Sequence, residues 1–199
     1  MCRFIETIRI KDGVAENLPA HNRRMNITRK VHFHTEEELC LEDYIDASGY
    51  TGLTRCRVVY SDRIEKVEYF PYTMREVRTL KLVTDDEAEY SFKREDRSVL
   101  DRDFSLRGGT DDVVIVKHGL LTDTSIANIA LYRDGHWYTP RTPLLKGIRR
   151  MSLLQSGMIL EADIKASDLF LYYRIRIFNA MIGFGDIELK VSDAFLLDI

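Results

Sequence analysis

LLTDTSIANIALYRDGHWYTP, residues 120–140, is the stretch that decides the class of this chain. Its Asp134-Gly135 pair lies between apolar runs, the strongest short-range signature of a tight turn joining antiparallel strands. The front of the stretch breaks that pattern. Asp123, Thr124, Ser125 and Asn128 put an acid and three hydrogen-bonding side chains between VVIVKHGLL and IALY, which both have the composition of buried sheet. Polar groups there either cap their own turn or present an acid to a cationic ligand through a charge-assisted bond.

Working outward, FIETIRIKDGVAEN alternates apolar and polar residues across Asp12-Gly13 and predicts a hairpin that opens a sheet. LPAHNRRMNITRKVHF changes period, and Leu18, Met25, Ile27 and Val31 mark an arginine-rich amphipathic helix. EEELCLEDYIDASG predicts a second helix, carrying Leu39, Leu41, Tyr44 and Ile45 and ending at Gly49. TRCRVVYSDRIEKVEYFPY gives two strands around Ser61-Asp62. Alternation restarts after Pro71, which divides the chain near residues 70–75 into a small N-terminal domain, 1–72, and a larger C-terminal one, 73–199. The second part reads as a strand (MREVRTLKLVTDDEAEY), a polar-faced helical segment (SFKREDRSVLDRDFSLRGG), the quoted hairpin with its preceding strand, a helix (TPLLKGIRRMSLLQSG) and the last strands. Strands and helices mix without regular βαβ alternation, so the expected class is α+β.

Composition narrows the function. With 45% hydrophobic and 31% charged residues, 199 residues can bury a sizeable core. A net charge of -3 gives no electrostatic case for nucleic acid or an anionic membrane. No apolar run reaches the length of a membrane-spanning helix, and MCRFIETIRIKDG carries charges where a signal peptide needs an apolar stretch. Three scattered cysteines favour reduced thiols and a cytoplasmic location. His32 and His34 form an HxH pair with no opposing ligand pair, and are expected as surface or helix-start residues rather than a metal site.

Four groups carry candidate chemistry. Lys93 in YSFKREDR is a nucleophilic amine if Tyr90 and Phe92 partly desolvate it, and a solvated charge among Arg94, Glu95, Asp96 and Arg97 otherwise. Asp123 with Asn128 is an acid for a cationic heterocycle, or a turn cap. In KGIRR, residues 146–150, Gly147 opens a helix whose free N–H groups and dipole favour a phosphate. HNRR, residues 21–24, offers guanidinium groups that suit phosphate or lie on a helix surface. A lysine, an acid, a phosphate-ready helix start and an arginine are together the parts that hold pyridoxal phosphate.

In this order the motifs resemble the fold-type IV pyridoxal-phosphate enzymes, the class IV aminotransferase family that includes branched-chain and D-amino-acid aminotransferases and aminodeoxychorismate lyase. FIETIRIKDG resembles the family's opening strand and turn, and Leu18, His21 and Arg24 match its L-x-x-H-x-x-R phosphate-arginine helix. Lys93 matches the Schiff-base lysine. LTDTSIANIALYRDGHWYTP is similar to the segment running from the acid under the pyridine nitrogen, here Asp123, through an Asn, here Asn128, to Thr-Pro. KGIRR is similar to the G-I-T-R or G-T-x-R phosphate loop, with Gly147, Ile148 and Arg149 as its contacts, and FNAM places Asn179 and Ala180 at the last phosphate contact. This sequence departs from the pattern in having Asp where many members have Glu, in lacking the loop's threonine at Ile148 or Arg149, and in carrying Asn179 for a hydroxyl residue.

The resemblance implies a two-domain, D-amino-acid aminotransferase-like fold, Lys93 on the larger domain, and a homodimer. Its DTS-x-x-N and NAM combination is most similar to small lyase members, which convert 4-amino-4-deoxychorismate to 4-aminobenzoate and pyruvate in folate biosynthesis beside a chorismate-amidating synthase subunit. In that case Lys93 is the general base, and Arg55, Arg57 or Arg97 binds a substrate carboxylate. The alternatives are an aminotransferase acting on a branched-chain or D-amino acid, and a non-catalytic member that binds the cofactor or a partner.

Overall fold

The apolar period of FIETIRIK forms β1, Phe4–Lys11, in a computed structural model that describes residues 2–195. The chain turns through Asp12 and Gly13, whose φ values of 49° and 81° suit a tight hairpin, into the short β2, Val14–Ala15. Helix α1, Leu18–Phe33, begins with proline in its first turn, where the missing N–H costs no helical bond. Strands β3, Leu53–Tyr60, and β4, Ile64–Pro71, complete an antiparallel sheet of order β2-β1-β3-β4. Alternation sends Phe4, Ile8, Ile10, Cys56, Val58 and Tyr60 to one face, where they pack with Met25 of α1 and Leu41. Thr7, Arg9, Arg55 and Arg57 fall on the other face.

The helix expected over 36–49 is reduced to a single 3-10 turn, Leu41–Asp43. Asn26 exchanges hydrogen bonds with the backbone of Leu39, and Asn22 accepts one from the Leu41 N–H. Amide side chains of α1 thus satisfy the backbone groups that a helical ladder would otherwise use. His32 and His34 lie at the end of α1, not at a helix start; His34 is its C-terminal cap, with φ 56°.

Two compact units emerge: residues through Met74 together with Phe92–Asp96, and Arg75–Ser91 together with the chain from Arg97 onward. Lys93, which the sequence places in a helical segment of the larger domain, therefore belongs to the smaller unit. Ile5 donates to the Lys93 carbonyl and Glu95 to that of Arg3, both at 2.9 Å, and Phe4 is bridged to Arg94. The segment is extended and lies antiparallel along β1.

In the second unit β5, Leu80–Thr84, connects through α2, Ser98–Ser105, to a parallel β6, Asp112–Lys117. Antiparallel strands follow: β7, Leu120–Thr124; β8, Asn128–Arg133; and β9, His136–Pro140. The Asp134-Gly135 turn between β8 and β9 has φ of 50° and 84°. Helix α3, Ile148–Gln155, leads to β10, Leu160–Ala162, parallel to β9. Two parallel crossovers through helices are thus present, although the sequence shows no regular alternation. Strand β11, Arg174–Phe178, pairs with β8 and with β12, Ile187–Lys190, and α4, Val191–Ala194, follows. A core of Val114, Leu121, Ile129, Leu131, Ile175 and Ile177 fills this sheet; each such side chain contributes roughly 1.5–3 kcal/mol.

Strand β8 pairs with β11 along one edge from Asn128 to Tyr132, while its other edge passes from β7 at Asn128 to β9 at Leu131, Tyr132 and Arg133. The acid and amide of the opening stretch stand at the β7 end of that hand-over.

Candidate active site

In the second unit Asp123 is 5% exposed, and both of its carboxyl oxygens have donors. Asn128 Nδ2 donates to Oδ1 at 2.7 Å, and the Leu145 N–H donates to Oδ2 at 2.8 Å. Asn128 Nδ2 also donates to the Leu145 carbonyl at 2.8 Å, so Asn128 braces the acid against the loop before α3. Burial pushes the Asp123 carboxyl up to about 7, against the opposing effects of the Leu145 N–H, Asn128 and the Arg150 charge. Such a carboxyl retains its proton close to neutral pH and gives it up when a cation arrives beside it.

Gly147 is the N-cap of α3 in extended conformation. A Cβ there would stand 2.1 Å from Asn128 Oδ1, so glycine is needed for the helix start to approach the Asp123–Asn128 pair. Ile148 is buried behind it. Arg149, in the position of the family's hydroxyl, lays its guanidinium over the 179–180 backbone, with Nε donating to the Asn179 carbonyl at 2.9 Å and Nη2 to that of Ala180 at 3.4 Å. Asn179 Oδ1 accepts from the N–H groups of Met181 and Ile182, and its Nδ2 donates to the Ile126 carbonyl at 3.1 Å. Two sets of contacts result, one of Asp123, Asn128 and Gly147 and one of Arg149, Asn179 and Ala180, joined through the chain from Gly147 to Arg149.

The backbone of Leu145, which donates to Asp123, carries no sequence signal. Arg97, expected to bind a substrate carboxylate, has its Nη2 donating to the Ser125 carbonyl at 2.8 Å. Arg150 is 2% exposed and donates to the Pro140 carbonyl and to Glu161, fixing α3 to β9 and β10.

In the first unit Arg24 is held edge-on by Glu6, with Nε donating to Oε1 at 2.8 Å and Nη2 to Oε2. His21 Nδ1 lies 2.6 Å from the same carboxylate. Burial raises the Glu6 pKa, but the Arg24 charge and the hydrogen bonds from His21 and Arg24 outweigh it and hold the carboxyl at about 2. Sequence reasoning overlooked Glu6. Its signal was an acid on the apolar face of an alternating strand, in step with Phe4, Ile8 and Ile10.

Pyridoxal phosphate carries a ring nitrogen that binds a proton and a phosphate that needs N–H donors. A buried carboxyl held near 7 suits the first, and a helix start left open by glycine suits the second, so these residues fit the group. The chain matches the family model described as amino-transferase class IV over residues 71–188. It is 34% identical over 187 residues to an uncharacterised Haemophilus influenzae protein, covering 92% of this chain and 100% of that one. A Haemophilus somnus structure, provisionally assigned as a 4-amino-4-deoxychorismate lyase, is 32% identical with a TM-score of 0.84, over 92% of this chain and 98% of that one. A hypothetical Mycobacterium tuberculosis aminotransferase in its PLP-bound form shares the fold, with TM-score 0.79 and 17% identity over 97% of this chain and 81% of that one. Alignment of these motifs along one chain, and a family match across most of it, make the conclusion plain: this chain belongs to the class IV aminotransferase family and is a pyridoxal-phosphate-dependent enzyme of fold type IV.

Proposed function

We propose that the chain is a lyase that converts 4-amino-4-deoxychorismate to 4-aminobenzoate and pyruvate, a reaction of folate biosynthesis. When bound, the cofactor supplies an electron sink next to the carbon that loses its proton. Lys93 would anchor the cofactor, and its Nζ would serve as the base that takes the proton from the substrate ring carbon bearing the amine. The C–O bond to the enolpyruvyl group breaks as the ring becomes aromatic, and a proton delivered to the enol methylene gives pyruvate. Asp123 holds the proton on the cofactor nitrogen, braced by Asn128. The backbone of Gly147, Ile148 and Ala180 would hold the phosphate, with Asn179 and Arg149 shaping the last of these; Arg24 is the arginine that the family resemblance assigns to the same group. The working enzyme in this proposal is a cytoplasmic homodimer acting on a small-molecule amine beside a chorismate-amidating synthase subunit.

The observation that carries the proposal is the match, over nearly the whole chain, to the Haemophilus somnus protein assigned to this reaction. The resemblance also supports it, since an Asn-Ala pair at Asn179 and Ala180, in place of the aminotransferases' hydroxyl residue, is similar to the lyase branch. The test is pyruvate release, coupled to lactate dehydrogenase, from enzymatically generated 4-amino-4-deoxychorismate. Stoichiometric pyruvate and 4-aminobenzoate are expected. An absence of pyruvate, with the cofactor spectrum shifting on addition of an amino acid alone, would replace the lyase with an aminotransferase.

A further inference from the structure

The antiparallel register along β1 places Lys93 opposite Ile5, and alternation puts both on the sheet face away from the apolar core. The ion pair between Glu95 and Arg57, at 2.6 Å, lies on that same face. Rows across the sheet then read Lys93, Ile5, Val59; next Thr7, Arg57, Glu68; and next Arg9, Arg55, Phe70. The base and three arginines therefore share one surface of the smaller unit.

These arginines are not equivalent. Arg57 is held by Glu68 at 2.9 Å and by Glu95, and Arg9 lies 3.3 Å from Glu16. Arg97, in the other unit, is held by the Ser125 carbonyl and Asp101. Arg55 has no hydrogen bond or carboxylate among the described residues: its guanidinium lies 5.0 Å over the Phe70 ring, and its Nε is buried without an acceptor. It also sits directly opposite Arg9, a like-charge pairing that weakens a sheet. A partly buried fork of N–H donors that faces another cation is suited to bind an anion.

We propose that Arg55, backed by Arg9, takes the carboxylate on the substrate ring, the one para to the amine. Two strand spacings and four residues separate the backbones of Lys93 and Arg55, roughly 17 Å. That span fits two extended side chains with a single six-membered ring between them, Arg55 leaving the Phe70 ring to reach it. The identity of the ligand rests on the lyase assignment; the anion site does not.

The test compares calorimetric binding of 4-aminobenzoate and of uncharged 4-aminobenzamide to the holoenzyme and to its Arg55→Gln variant. The wild type should prefer the acid by about 10- to 100-fold, the range of one charge-assisted pair, and the variant should lose that preference. KM for 4-amino-4-deoxychorismate should rise by a similar factor with little change in kcat. The unliganded variant should be as stable as the wild type, because the substitution removes an opposing charge. A variant that keeps the preference, or one that fails to fold, overturns the proposal, the latter because it makes Arg55 structural. Arg55-dependent preference for the acid without pyruvate release supports the anion site and overturns the lyase assignment alone. Pyruvate release with an unchanged KM in the variant does the reverse.

Discussion

Replacing Gly147 by alanine tests how tightly the helix start is fitted to the acid. The new Cβ would stand 2.1 Å from Asn128 Oδ1 and 3.3 Å from its Cγ, so the Asn128 side chain has to leave. It is not a loose chain end, because its Nδ2 donates to Asp123 and to the Leu145 carbonyl. Loss of both bonds in a buried setting costs roughly 2–4 kcal/mol. Asp123 also loses a donor, which drives its carboxyl further up. Urea unfolding of the apoprotein should show the destabilisation, and titration with pyridoxal phosphate should show weaker binding. Gly109→Ala is the control, since its Cβ meets nothing within 4 Å. A Gly147→Ala protein within about 0.5 kcal/mol of wild type, the range of an ordinary surface change, would refute the packing described here.

Asp123, raised from 3.8 to about 7, binds a proton more tightly when folded, so its contribution is present at low pH and is lost as pH rises through 7. The apoprotein should lose roughly 4 kcal/mol of stability across that window relative to Asp123→Asn, measured by urea unfolding at several pH values. Glu6 has the opposite sign: lowered from 4.5 to about 2, it stabilises above pH 4.5 and loses roughly 3 kcal/mol as pH falls to 2. Acid unfolding of Glu6→Gln should lack that limb. Arg150→Met leaves the Pro140 carbonyl without its side-chain donor and should destabilise by roughly 2 kcal/mol, read from the urea midpoint.

What the sequence displays is local chemistry. The turns at Asp12-Gly13 and Asp134-Gly135 are legible because two adjacent residues must adopt positive φ, and few pairs do so cheaply. Asp123 stands out as an acid between apolar runs. The extended segment around Lys93 is not legible, because its strand partner is β1, some ninety residues earlier, and nothing in KREDR records it. Residues 36–49 mislead for a related reason: the helical spacing of Leu41, Tyr44 and Ile45 is real, but Asn22 and Asn26 supply the competing bonds from a distance. Glu6 is readable as an acid in an apolar stripe, though the sequence offers its partner Arg24 only as a phosphate ligand. Arg149 was legible as a departure from a motif, while its contact with the 179–180 carbonyls requires the fold.

The most direct test of Lys93 as the cofactor lysine is borohydride reduction of the holoenzyme followed by peptide mapping. A phosphopyridoxyl group on the peptide that contains Lys93, absent from Lys93→Ala, is the expected result. The same label on Lys81, Lys117 or Lys146, or its persistence in Lys93→Ala, would contradict the assignment of the active site.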